Sequence, residues 1–405
     1  MYSIAIVVLL FFNFTTSIDA VDFQFKGESE IQYRVFDADN DSATQDTNLL
    51  VTNQAETTFT TKTSIFKSKL WLQQDSIDKN KSAVIIEKLY MLIQKDSYDV
   101  SLGAKILNWS TLEAFHPADV MNSKNYDSSF KNPVKIGEPM ISYSYYYNEF
   151  IVGVYYMPYI MNPIFSPQSS RFKTSQLHVG SARYFNKSSE EITNNQFNQI
   201  AIKLDHVLNQ ADISVYYIDH IDRSQPIFSV DNLNVIPNYF RVKQFGFSLQ
   251  SSLKELLLKA EYGYRKFVGS APNINPSDHS QLALGTEYTY YHQNKFESTL
   301  FVEYQVIPDV SRVKRASLGV FQHDLLVGYR LNLNNSQSSE LQWFVFKDLD
   351  VNNEYFLSLN FSQRFFNMIK GNIGLQWVYS NTNQSIGFQT IENADFCYVS
   401  TNYFF

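Results

Sequence analysis

The chain holds one cysteine, Cys397, in 405 residues. That excludes an intramolecular disulfide framework and any metal site built from several cysteines. Cys397 itself, inside a strand-like terminal stretch, reads as a small apolar packing residue. Charge is scarce too: Asp, Glu, Lys and Arg make up 18% of the chain, against about 25% in an average globular protein. The net charge of −7 excludes a general nucleic-acid binder, which needs a basic surface. The short basic cluster "RVKR" at 312–315 lacks interleaved aromatics and reads as a solvated turn. Glycine (14) and proline (11) are few, and no linker rich in them divides the chain. Beyond residue 20 no apolar run approaches the roughly 20 residues of a transmembrane helix. Membrane insertion is then open to the mature chain only as a closed β-barrel, since lipid leaves no backbone group unpaired.

Catalytic signatures are missing as well. There is no G-x-S-x-G elbow, no H-E-x-x-H zinc helix and no phosphate-cradling glycine loop. His178 near Ser181 in "HVGS" is adjacency rather than a catalytic geometry, and Asp219, His220 and Asp222 in "IDHID" read as turn polarity. The chain is not expected to be an enzyme, and no cofactor or metal is implied.

What the chain has in plenty is aromatic: 27 Tyr and 33 Phe against 4 Trp, together 16%. Such a chain is not disordered. Its recurring unit is a run of period-two alternation ended by a polar turn cluster. In "HDLLVGYRLNL", Leu325, Val327, Tyr329, Leu331 and Leu333 share a face opposite Asp324, Gly328, Arg330 and Asn332. "NEYFLSLNFSQRF", "GNIGLQWVYS", "QLALGTEYTY" and "STLFVEYQV" repeat the pattern. The turns between them are too short for crossovers, so the runs pair as antiparallel hairpins. The count predicts an all-β single domain, 21–405, with roughly 16–18 antiparallel strands. Residues 251–267 also fit a helical stripe, but the meander on both sides favours a strand. "SAVIIEKLYMLIQK" is apolar on both faces and resists phasing.

The apolar faces are aliphatic in mid-run, with Tyr and Phe near the ends, as in a lipid-facing band between aromatic girdles. Charges within strands then belong to the lumen: Glu255, Lys259, Glu261, Arg265, Glu287, Glu303, Arg330 and Arg364. Two long stretches, 110–138 and 161–195, interrupt the hairpins. The first is either a solvated cap or a segment folded into the lumen, with Glu113, His116 and Asp119 facing a permeant. The second supplies Arg171 and Arg183, with Lys173 and Lys187, as a basic counterpart.

The N-terminal stretch, with its apolar run Ile4–Phe12, resembles a secretory signal cleaved after Ala20. No cysteine follows that run, so lipid attachment there is excluded. The ending "YVSTNYFF" resembles the last strand of bacterial outer-membrane barrels, in which Tyr403 and the terminal Phe405 would be read by the assembly machinery. That strand would close against "FQFKGESEIQYRVF" near the start. Residues 102–122 resemble a segment of a porin-like family, a Gly-led strand ending in Trp, then Gly, an acidic residue, an aromatic, Pro and Asp. Gly103, Trp109, Glu113, Phe115, Pro117 and Asp119 match, and Ser110 stands where Gly is usual. The resemblance implies a Gram-negative outer-membrane porin through which small solutes diffuse. Its partners would be outer-membrane lipid, the barrel-assembly machinery and a small-molecule permeant, and a homotrimer is among the assemblies it allows. A fatty-acid-type channel for hydrophobic compounds is the alternative, hinted at by "YSYYYNEF" (143–150). A membrane-embedded barrel enzyme is the more distant one.

Overall fold

The computed structural model describes residues 22–37, 44–129, 133–173, 175, 177–224, 226–231, 234–316, 318–380 and 388–405. The expected signal segment, 1–20, lies outside them. The strands are β1 (Asp22–Phe36), β2 (Thr47–Thr60), β3 (Ser64–Asp75), β4 (Ala83–Gln94), β5 (Tyr98–Lys105), β6 (Lys124–Asn125), β7 (Val134–Lys135) and β8 (Glu138–Tyr147). Then come β9 (Phe150–Tyr159), β10 (His178–Val179), β11 (Arg183–Phe185), β12 (Gln196–Val207), β13 (Ala211–Ile221), β14 (Ile227–Asp231), β15 (Asn234–Leu253) and β16 (Leu256–Phe267). The rest are β17 (His279–Tyr291), β18 (Glu297–Val306), β19 (His323–Asn332), β20 (Glu340–Asp348), β21 (Tyr355–Phe366), β22 (Ile369–Tyr379) and β23 (Phe396–Phe404).

All but β6, β7, β10, β11 and β14 join one closed barrel of 18 antiparallel strands, each paired with its neighbours in the meander. Closure is made by β1 against β23, in register from Glu28 opposite Phe404 to Phe36 opposite Phe396. No edge is left for the backbone to satisfy elsewhere. Short turns (61–63, 95–97, 148–149, 254–255, 367–368) gather at the end that carries Asp22 and Phe405, and the long connections gather at the other. Above the long-loop end, the first half of β15 runs out of the barrel and pairs with β14, β10 and β11.

Alternation decides which side chains face out. Ile31, Leu102, Ile141, Ile200, Leu284, Leu300, Ile373 and Val399 are all at least 44% exposed around the outer wall. In water, so continuous an apolar band would be an aggregation surface; against lipid it costs nothing. At the short-turn end it is bounded by exposed rings such as Phe25, Tyr147, Phe150, Tyr291, Phe366 and Tyr403, and at the other by Tyr33, Tyr159, Tyr264 and Trp377. Cys397 is exposed on this outer face rather than packed in a core, which corrects its sequence reading.

Two other readings change. Residues 251–267 are strand, not helix, but they form the end of one strand and the start of the next, with a turn at Lys254–Glu255. Lys254 takes the left-handed conformation that so tight a turn demands, φ 59°. Strand β4 could not be phased because its register with β3 shifts between Lys69 and Leu70, which pair with Lys88 and Ile86. Glu87 is the extra residue, and a bulge swaps the faces on either side of it.

Candidate functional site inside the barrel

The connection after β5 turns into the barrel instead of capping it. Leu107, Trp109, Ala118, Val120 and Met121 pack against Met140, Met157, Ala201, Tyr216 and Ile218, which point inward from β8, β9, β12 and β13. Further along, Leu112, Ala114 and Phe115 pack against Phe301, Leu326, Phe344 and Phe346 from β18 to β20. An irregular segment buried this way carries N–H groups that no ladder satisfies. Two strand carboxylates meet them. Glu261 accepts from the Thr111 N–H (2.5 Å), the Ala118 N–H (3.2 Å) and the Ser110 hydroxyl (2.7 Å). Glu303 accepts from the N–H groups of Glu113 (2.5 Å), Ala114 (3.0 Å) and Phe115 (3.4 Å). Gln244 of β15 adds a hydrogen bond to the Pro117 carbonyl at 3.0 Å.

The roots of the segment are clamped separately. Asn122 accepts from the Leu107 N–H at 2.8 Å and donates to the carbonyls of Lys105 and Ile136. Asp119 forms an ion pair with Lys135, which also donates to Asn108 Oδ1 at 2.6 Å. Glu138, fully buried, accepts from Arg223 Nε at 3.0 Å, from the Ser123 N–H at 3.1 Å and from the Met161 N–H at 3.0 Å. This buried pair ties the bases of both long connections to the connection that follows β13. Pairing alone makes such burial tolerable.

Of the charges singled out in the sequence, Lys259, Glu287, Glu113 and Arg330 come together. Lys259 bonds Glu287 and lies 4.0 Å from Glu113, whose other oxygen is 3.7 Å from Arg330. Glu113 keeps 34% and Arg330 30% of its side-chain surface exposed, so this group faces open lumen. Glu261 and Glu303 face inward as expected but are covered by the segment they anchor. Arg265 is also inward and buried, with Nε on Gln244 at 3.2 Å and NH1 3.9 Å from Asp222.

Other members are displaced. Glu255 sits exposed in the turn before β16, because the strand that was read through it breaks there. Arg364 lies at the short-turn rim, donating to the Asn367 carbonyl at 2.6 Å and resting 5.2 Å from the Phe404 ring. His116 bonds the Ser110 hydroxyl at 2.9 Å and lines the cavity on the long-loop side of the segment. Arg171 is buried and held by Asp46 and the Gln45 carbonyl, and Arg183 pairs with Asp231 at 3.2 Å on the outer rim. Neither meets Glu113 or Asp119. The basic counterpart comes from the wall, as Lys259 and Arg330, and from within the segment, as Lys135. Lys69–Glu87 (2.7 Å) and Lys88–Glu56 (2.9 Å) line β2 to β4, and were missed because the bulge hid their common face.

At the closing seam, the Gly27 N–H donates to the Phe405 carbonyl at 2.7 Å and the Phe405 N–H returns a bond to Gly27 at 3.0 Å. The Phe405 ring lies where a Cβ at Gly27 would be, 2.2 Å from Cε2, so the glycine is the slot for the terminal ring. Tyr403 stacks on it, with ring centroids 5.7 Å apart.

No family model and no curated protein matches the chain. Solved structures do resemble it in course. A mutant of the Rh. blastica porin aligns at TM-score 0.48 and 11% identity, covering 95% of this chain and 100% of its own. A triple mutant of the Rhodopseudomonas blastica porin aligns at TM-score 0.47 and 11% identity over the same shares. The fold assignment rests on the strand pairings themselves.

Proposed function

We propose that the chain is a channel of the Gram-negative outer membrane through which small polar solutes diffuse, with the 106–121 segment as its constriction. The observation that carries this reading is that segment, held inside a barrel of porin size by Glu261 and Glu303. Glu113, with Lys259, Glu287 and Arg330, then borders the passage. Adjacent charges of opposite sign set up a transverse field that orders polar solutes without strong anion or cation selectivity. Diffusion needs no bound cofactor and no catalytic group.

The compartment reading is supported by the outer apolar band, its two girdles and the sorting of short turns and long loops to opposite ends. Both ends of the barrel chain would lie on the periplasmic side, and outer-membrane lipid would cover the band. The Phe405 ring seated on Gly27, with Tyr403 beside it, is the feature the assembly machinery would recognise. A signal cut near Ala20 would leave β1 almost at the mature N-terminus, and a homotrimer is compatible with so apolar a wall. Liposome swelling tests the channel: vesicles carrying the protein should swell in small sugars and exclude larger oligosaccharides. Replacing both Glu261 and Glu303 by Ala should raise the cutoff. A folded, inserted protein that admits no solute overturns the reading.

A further inference from the structure

A cavity of about 250 Å³ opens above the constriction, on the long-loop side. Its floor is Phe115 and His116 of the inserted segment; its walls come from the connections after β5, β9, β13 and β18 and from the upper barrel. Two aromatic groups face it. Tyr126 and Phe165 stack at 5.3 Å, with Phe228 edge-on to Phe165 at 6.1 Å, and Phe115 meets Phe321 edge-on at 5.6 Å.

Its charge is unlike that of the rest of the molecule. In a chain of net charge −7, the charged residues lining this cavity are Lys124, Lys173 and Arg265, and no Asp or Glu lines it among the described residues. Lys173 and Arg265 are 9% and 5% exposed, so neither cation is merely a solvated surface group. The Lys124 ammonium makes no hydrogen bond or close ion pair among the described residues. Asp119 and Asp222 act on it only through their longer-range field. Arg265 NH1, 3.9 Å from Asp222, is beyond hydrogen-bond distance and keeps donors to spare. A half-buried ammonium with no close carboxylate, as at Lys124, is costly unless something else supplies the negative charge.

We infer that this vestibule is a binding site for small aromatic carboxylates. The ring of such a ligand would lie among Tyr126, Phe165 and Phe228, and its carboxylate would accept hydrogen bonds from Lys124 and Arg265. A cavity of this size takes a ring or two, not a polymer. A neutral sugar would leave the Lys124 ammonium unanswered, and a bare inorganic anion would leave the rings wet. This inference names a class of permeant and so rests on the channel reading, yet binding is measurable without transport.

The test is isothermal titration calorimetry of the full detergent-solubilised chain with benzoate, benzyl alcohol and acetate. Benzoate should bind at least about tenfold more tightly than either analogue, since each lacks one of the two interactions. Lys124→Gln should weaken benzoate by about tenfold and leave benzyl alcohol unchanged, and Lys124→Arg should restore it. Retained heat-modifiable gel mobility certifies that each variant is folded. Equal binding of the three compounds, absence of benzoate binding, or an unaffected Lys124→Gln variant overturns the inference. Currents in a bilayer without benzoate binding remove this site and leave the channel. Benzoate binding without currents removes the channel and leaves the site.

Discussion

Glu261 and Glu303 show how little a residue's face says about its work. Period-two alternation places both carboxylates on the inner wall, and they are there. What alternation cannot supply is the partner, since the N–H groups they hold belong to a segment some 150 and 190 positions away. The same distance hid Glu138 and Arg223, 85 positions apart. Removing one side chain of a buried pair strands the other. Glu138→Ala should therefore destabilise the fold by about 3–5 kcal/mol, measured as the shift of the urea midpoint in detergent micelles. Glu261→Ala leaves four donors unanswered, the N–H groups of Thr111 and Ala118 and the hydroxyls of Ser110 and Thr111, at about 1–3 kcal/mol for each that water cannot reach. Limited proteolysis should then cut within 110–118 in the variant and spare it in the parent. Equal resistance would mean that apolar packing alone holds the segment.

At the scale of the element, strands whose two faces differ were legible and strands whose faces agree were not. Residues 323–333 alternate with the one exception of Leu326 and form β19 almost residue for residue. The stretch through β4 is apolar on both faces, and its bulge at Glu87 is a register event that composition does not encode. The turn at Lys254–Glu255 escaped notice because neither residue is Gly or Asn, the usual markers of a left-handed position. Lys254→Gly should relieve that conformation and raise stability by about 1 kcal/mol, read from the unfolding midpoint. The connection before β23 carries a pH dependence. Burial holds the Asp395 carboxyl up at about 6, opposed by a hydrogen bond from the Val378 N–H and reinforced by the charge of Asp37. An unfolded aspartate titrates near 4, so the fold prefers the protonated form. That contribution is present at acid pH and is lost as the pH rises through about 6. Hydrogen-exchange protection factors over 388–395, with the intrinsic pH dependence of exchange divided out, should be higher at pH 5 than at pH 7.5, and Asp395→Asn should abolish the difference.

On the scale of the whole molecule, the closed barrel was readable from strand count, from alternation and from the terminal aromatic strand. The inserted segment was not, because its sequence is equally that of a cap. Only the inward carboxylates and rings that receive it settle where it lies. The outer wall gives a direct check on the solvent the barrel is built for. Ile202, on the outer face of β12, is 46% exposed. Ile202→Arg should cost about 2–4 kcal/mol in phospholipid vesicles, with the cost falling toward the girdles. A neutral effect there would argue for a barrel that stands in water.

The central claim, a passage narrowed by the 106–121 segment, is tested most directly by single-channel conductance in planar bilayers. The full chain is compared with the Glu261→Ala, Glu303→Ala double variant. Stable current steps in the parent, and larger or noisier steps in the variant, are the expected result. Folded protein that inserts and passes no current in either form would contradict the account.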